Sequence, residues 1–394
     1  MKILFLSSWF PYPANNGSKI RINNLLQALA DHHEVTLLSF TERPNGSKDV
    51  PELQALCQEI QTVPWKPYKP DTHRARWGFL SLTPRSLLDT FSEEMRQLIE
   101  SQLSNGNYNL VIASELGMAS YSQYFHDVPA LFEDVELSLF IEPFSHATSK
   151  RSRVRNGLTW GKLHYYLNRL VRNFKAFTVV SKKEHQLLAR FVNTNQTVEI
   201  VPNCIDLKNY QEFGKERERA NSIIYTGSFG YAANYDAMTW FLKEIYPDVL
   251  ERFPDANLMI TGDHENLPLP NTEAVTLTGF VDDVRPLVAG SCISVAPLRA
   301  GGGTRIKILE AMALGTPVVA TTKGAEGLDV QHGRHLLIAD TPAAFSASIS
   351  RLLTDPPLRQ KLAINAYQLV KESYDWAGTL PDFLHLIERV AAAK

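Results

Sequence analysis

The sequence predicts two doubly wound α/β domains, and three observations carry that prediction. Short apolar runs rich in Val, Ile and Leu alternate with segments of helical periodicity along almost the whole chain. The alternation opens twice, at Lys2 and at Ile223, each time with a strand that runs into a glycine-bearing turn. With 394 residues, 44% hydrophobic and 21% charged, the chain has the length and composition for two packed sheets.

The elements follow in order. Lys2 to Ser8 is a buried strand, and Pro11, Pro13, Asn15, Asn16 and Gly17 mark the loop after it. Ile22, Leu25, Leu26 and Leu29 recur at helical spacing within Ile20 to Ala30, and EVTLLSF at 34–40 is the next strand. Leu110–Ser114, Ala130–Phe132, Phe177–Ser181 and Val198–Val201 continue the series. A polar, charged stretch from Lys208 to Asn221 separates it from a second one. That series comprises strands at 223–226, 258–261, 275–277, 293–296 and 318–320, with helices around 237–253 and 305–314, and a last helix at 380–392. The domains are accordingly expected at 1–205 and 206–373. In such sheets ligands bind beyond the carboxyl ends of the strands, so two facing domains would form a cleft from two such edges.

Composition excludes several functions. A net charge of -2 and a pI near 6.6 give no global field for nucleic acid. Cys57, Cys204 and Cys292 form no CxxC pair, which fits a reducing compartment. No apolar run reaches the roughly 18 residues of a membrane span. The opening MKILFLSSWF is followed by PYPANNG rather than a small-residue cleavage site, and reads as a strand, not a signal peptide.

The most informative segment is AGGGTRIKILEAMALG at 300–315. Gly301, Gly302 and Gly303 expose backbone N–H groups, Thr304 is a candidate N-cap, and Gly315 with Pro317 stops the helix. Glycines at the positive end of a helix suit a phosphate. On the helical wheel Ile306, Ile308, Leu309, Met312 and Ala313 share one arc, with Arg305 inside it. A charge there is costly unless it reaches an anion. Arg305 and Lys307 are therefore expected to clamp a diphosphate, and Glu310 to hold a diol. The alternative is that Lys307 and Glu310 form an ordinary i,i+3 surface pair. Asn16-Gly17-Ser18, with Lys19 and Arg21 beyond it, is a second candidate anion turn; the alternative is an ordinary βα turn. Gly227-Ser228, followed by Gly230 and Asn234, is a third, or a turn opening the next helix.

These segments resemble the retaining, nucleotide-sugar-dependent glycosyltransferases of the GT-B fold, glycosyltransferase family four. The likeness covers nearly the whole chain, through NNGSKIR, VPNCID, IIYTGSFGYAANYDA, LTGFVDDVRPL and GGGTRIKILEAMALGTPVVAT. It implies two Rossmann-like domains facing across a cleft, with residues 374–394 forming a helix that crosses back to the first. It implies that Glu310 binds the donor ribose and that Gly303 and Thr304 meet the diphosphate through their N–H groups. Phe280 and Val281 would line the nucleobase slot, and Gly17 would close on the diphosphate from the other domain. Gly227, Ser228 and Gly302 complete the expected donor-binding set. The chain departs from the family in three places. Gly302 stands where a glutamate is usual, and GSFGYAANYDA, directly after Thr226, holds neither the arginine nor the lysine that the family often has there. Glu133 stands where a histidine is common, which makes it a candidate catalytic group or a plain strand-end carboxylate like Asp134 and Glu136.

The resemblance implies transfer of a sugar from a nucleotide-diphosphate donor to a glycan or lipid-linked acceptor, with retention. No DxD motif lies in a suitable place, and Asp282-Asp283 is the one acidic doublet considered. No metal and no cofactor are therefore expected, with Arg305, Lys307 and the helix terminus meeting the leaving charge. A hydrolysing sugar-nucleotide epimerase and a non-catalytic binding protein on the same frame are the alternatives. Residues 150–183 carry ten Lys and Arg and no Asp or Glu, interleaved with aromatics, and Trp65 to Arg85 adds more of both. That suits an anionic membrane surface, or an ordinary solvated face. The expected location is cytoplasmic, or peripheral on the inner face of the membrane.

Overall fold

The computed structural model describes residues 1–14, 16–42, 50–138, 141, 149–211, 219–270, 273–302 and 305–392. The chain divides into two units. One is Met1–Pro202 with Leu380–Lys394, the other Asn203–Thr379. The joins fall three residues before the expected 206 and six after the expected 374. The three cysteines are free and buried.

The first unit is built on a seven-stranded parallel sheet. Its strands are β1 (Lys2–Ser7), β2 (Glu34–Thr41), β3 (Glu59–Pro64), β4 (Leu110–Ser114), β5 (Ala130–Glu133), β6 (Ala176–Val179) and β7 (Thr197–Ile200). Their order is β3-β2-β1-β4-β5-β6-β7. The second unit has six, β8 (Arg219–Thr226), β9 (Asn257–Thr261), β10 (Val275–Gly279), β11 (Ser291–Ala296), β12 (Val318–Ala320) and β13 (Leu337–Ile338), in the order β10-β9-β8-β11-β12-β13. Strand order reverses beside β1 in one unit and beside β8 in the other. That reversal splays the loops at the carboxyl edge and opens a crevice there. In the first unit it lies between β1 and β4, in the second between β8 and β11.

The central strands are continuous apolar runs because helices cover both faces. Ile3 to Leu6 and Leu110 to Ala113 are fully buried, as are Ile223 to Tyr225. Helix α1 (Gly17–Ala30) starts where Asn16 Oδ1 accepts from the backbone N–H of Lys19 at 3.0 Å. It buries Ile22, Leu25, Leu26 and Leu29, the stripe that its spacing predicts. In the second unit α5 (Ala232–Trp240) passes into a π turn at Phe241–Ile245 before Tyr246–Arg252. Pro247 has no N–H to continue the α ladder, and the wider turn absorbs that loss. The sequence reading had a single helix there.

Arg21 and Glu133 part from the expectations placed on them. Arg21 Nε lies 2.5 Å from Glu133 Oε1, and both side chains are buried. Arg21 Nη1 donates to the carbonyl of Val201 at 2.8 Å, and Ser114 Oγ donates to Glu133 Oε2 at 2.6 Å. Glu133 is thus a strand-end carboxylate paired inside the unit, and Arg21 is its counter-ion. The pair ties α1 to β5 and to the end of β7. Arg21→Met leaves the carboxylate buried without its cation, and is expected to destabilise the first unit by about 3–5 kcal/mol in urea unfolding.

Candidate functional site

The carboxyl edge of the second sheet is built from glycines. β8, β9 and β10 end in Gly227, Gly262 and Gly279, all with positive φ (151°, 106° and 69°), and Gly301 (95°) follows β11. Gly227 N–H donates to the carbonyl of Thr261 and Gly262 N–H to that of Gly279, so adjacent strand ends are stitched together. A Cβ on Gly262 would sit 2.7 Å from the carbonyl carbon of Gly227. A Cβ on Gly227 would sit 2.8 Å from Lys307 Nζ and equally close to Asn234 Nδ2. Only glycine fits at either position.

Lys307 is carried by helix α6 (Ile306–Ala313), and Asn234 by α5 (Ala232–Trp240). The ammonium of Lys307 donates to Tyr225 Oη and to Asn234 Oδ1, each at 3.1 Å, and lies 4.2 Å from the centroid of the Tyr225 ring. Asn234 Nδ2 in turn donates to the carbonyl of Ser228 at 2.7 Å. Burial pushes the pKa of Lys307 down to about 7, and the nearby Arg305 guanidinium adds to the shift. Glu310, one turn along α6, accepts from Tyr210 Oη at 3.0 Å. Burial raises its pKa, against the opposing effects of Tyr210 and Lys307.

Arg305 is where the expectation changes most. It occupies the N-cap position of α6, so the helix opens one residue later than a cap at Thr304 implies. The side chain is 5% exposed. Its Nη1 donates to the carbonyl of Gly302 at 2.9 Å, and its Nη2 to those of Gly301 and Lys323 at 3.0 Å each. Three of its hydrogen bonds brace the glycine loop against the turn after β12, so it shapes the loop. Gly303 and Thr304, expected to meet the diphosphate, lie outside the described residues. Gly227, Ser228, Lys307 and Glu310 are gathered by the second unit at its switch point. Phe280 and Val281 follow directly on β10, with Phe280 74% exposed. Gly17 belongs to the first unit, at the start of α1.

Sequence reasoning missed Tyr210, Tyr225 and the glycines at 262 and 279. Tyr210 lies in a stretch that reads as linker, and Tyr225 inside a strand that reads as core. Gly279 stands at a strand end in the LTGF run, a signal that could have found it. The first unit holds another unforeseen group. Glu115 follows β4 with φ 65°, and Trp9 Nε1 donates to both its oxygens at 3.0 and 3.1 Å. Burial and the charges of Glu133 and Glu136 raise its pKa to about 7. Asp134 is raised too, chiefly by burial. Burial disfavours the charged form, so both carboxyls hold their protons to higher pH than a solvated carboxylate does.

Family models were matched along most of the chain. Residues 15–209 match the model for glycosyltransferase family 4, and residues 220–355 that for glycosyl transferases group 1. The chain belongs to the family-four glycosyltransferases. The phosphatidyl-myo-inositol mannosyltransferase of Mycobacterium leprae is 32% identical over 39% of this chain and 43% of its own length. An uncharacterized 44.6 kDa protein in the cps region of Klebsiella pneumoniae is 21% identical over 95% of this chain and 96% of its own. Among solved structures, sucrose-phosphate synthase from Thermosynechococcus elongatus superposes with a TM-score of 0.70 at 16% identity, covering both chains completely. Anabaena HepE, solved with UDP and glucose, gives 0.65 at 16% identity over 99% of this chain and 100% of its own. These two likenesses agree with the family's GT-B fold, one parallel α/β sheet in each of two units.

Two outcomes follow from this geometry. Arg305→Ala strips three loop carbonyls of their donor and is expected to destabilise the second unit by about 2–4 kcal/mol in urea unfolding. Lys307→Met removes a poorly solvated charge and is expected to leave stability unchanged or raised. Glu115 gives a pH signature in the first unit. The native state binds its proton more tightly than the unfolded chain, so its contribution to stability is lost as pH rises from 4.5 towards about 7. Glu115→Gln, neutral throughout, is expected to raise Tm relative to the parent near pH 8 and not near pH 5, in scans at about those two pH values.

Proposed function

We propose that the second unit binds a nucleotide-diphosphate sugar and that the enzyme transfers the sugar, with retention and without a metal, to a glycan or lipid-linked acceptor. The observation that carries this reading is Lys307, an ammonium buried at the switch point between neutral oxygen partners and glycine strand ends. The solved HepE structures hold UDP or UDP-glucose, and the mycobacterial relatives are named mannosyltransferases, which supports a sugar-nucleotide donor.

As the bond between the anomeric carbon and the diphosphate oxygen breaks, the electron pair leaves with the phosphate. Lys307 meets that charge where burial keeps it unscreened, and the amino end of α6 adds to it. Glu310 accepts from the ribose hydroxyls, its carboxylate oriented by Tyr210. The acceptor hydroxyl attacks the face from which the phosphate departs and passes its proton to the leaving oxygen. Arg305 contributes indirectly, by fixing the loop.

Lys307 makes binding pH-dependent. Its pKa near 7 rises when a diphosphate arrives, so binding takes up a proton at higher pH. Affinity for UDP, GDP or ADP is expected to fall by up to about tenfold per unit between about pH 7 and pH 9, until the pKa of the complex is reached. Titration calorimetry with the preferred diphosphate reads this directly. Lys307→Met is expected to weaken binding at pH 7 by about tenfold or more and to flatten the profile. A parent protein that binds none of the three diphosphates, or binds with no pH dependence, overturns the reading.

A further inference from the structure

The first unit carries a surface that donor binding does not use. Helix α4 (Lys150–Leu170) has two apolar faces. Leu163, Leu167 and Leu170 are buried in the core. Val154, Leu158 and Tyr165 point the other way and are exposed, Leu158 by 66%. These three fall within about 40° of arc, and Arg151, Arg155 and Arg169 within the adjoining 40° or so. No Asp or Glu occurs between Ser149 and Lys183.

Two short helices, α2 (His73–Trp77) and α3 (Arg85–Thr90), stand beside α4. Their connection exposes Trp77, Phe79, Leu80 and Leu82, Trp77 by 70% and Leu80 by 82%. It is a braced projection. Lys162 Nζ donates to the carbonyls of Gly78 and Phe79 at 3.2 and 2.6 Å. Arg85 donates to those of Ala75 and Pro70 at 2.7 and 2.9 Å, and its guanidinium lies 3.8 Å from the centroid of the Phe79 ring. Between α4 and this projection runs a groove of about 1140 Å³, with Phe79, Val154 and Leu158 among its apolar lining. Arg85, Lys150, Arg151 and Arg155 also line it, and among the described residues no carboxylate does.

We propose that this platform docks the first unit on the surface of an anionic phospholipid bilayer. Large apolar side chains held out in water cost about 25 cal/mol per Å² of apolar surface, a cost relieved by insertion among acyl chains. Trp, Tyr and Phe favour the headgroup boundary, and the flanking arginines complement phosphate there. The single sign of charge selects an anionic bilayer over a partner protein, whose surface would present both signs. Among the described residues no helix is long and apolar enough to cross a membrane, so attachment is to the surface. The proposal stands on residues apart from the donor site.

The test is co-sedimentation of the full chain with vesicles of phosphatidylcholine alone or with about 30% phosphatidylglycerol, at low and high salt. The chain is expected to pellet with phosphatidylglycerol vesicles, far less with phosphatidylcholine, and less in high salt. Arg151→Glu with Arg155→Glu is expected to weaken binding at least about tenfold. Leu80→Ser with Leu158→Ser is expected to weaken it at both salt concentrations. All four side chains are exposed, so Tm and nucleotide binding stay unchanged in both double variants. Absence of phosphatidylglycerol-dependent pelleting at low salt overturns the proposal. So does pelleting that neither double variant alters, or pelleting without vesicles, which is self-association through the apolar ridge.

Discussion

A buried ammonium with no carboxylate partner at hydrogen-bond distance among the described residues is the constraint around which the second unit's site is arranged. Lys307 is held by a phenol and an amide oxygen, and the desolvation of its charge is only partly offset by those dipoles. The neighbourhood is shaped by keeping it there. Gly227 has no side chain because the ammonium takes that space, and Asn234 is turned so that its oxygen faces Lys307 and its amide the strand end. A site in this state is under-neutralised until an anion arrives. Under the donor reading, that would favour a phosphate without a dense cluster of cations.

The first unit shows the opposite arrangement at the same topological place. Among the described residues Glu115, Glu133 and Asp134 are carboxylates buried near Arg21, and burial raises the pKa of Glu115 and Asp134. Both edges arise from the same strand order, yet one buries an ammonium and the other carboxyl groups. The fold fixes where a site forms. What it attracts is decided by a handful of side chains at the strand ends.

The residues alone disclose much of this, unevenly. β4 and β12 can be read to the residue, because uninterrupted apolar runs bounded by loop residues have little other use. β3 escapes notice: Glu59-Ile-Gln-Thr-Val-Pro lies on a sheet edge, half of it polar, where one strand partner suffices. The wheel places Arg305 correctly on the buried arc, but composition does not show that the carbonyls of its own glycine loop point back at it. Arg21 and Glu133 are 112 residues apart, and their pairing exists only once the sheet has formed. Tyr210 is missed for a related reason, since its partner is 100 residues away. Local chemistry is readable from spacing, whereas neutralisation at a distance is a property of the tertiary structure.

The glycine strand ends bear on how such an enzyme can change its preferences. Where peptide groups rather than side chains face the ligand, single amino-acid replacements at the edge offer selection little to work with. Most would collide with neighbouring backbone before they could recognise anything new. Under the donor reading, a shift in nucleotide or sugar choice would come instead from altering the lengths of the connecting loops. Lineages built on this frame should then differ through insertions and deletions around an almost invariant rim.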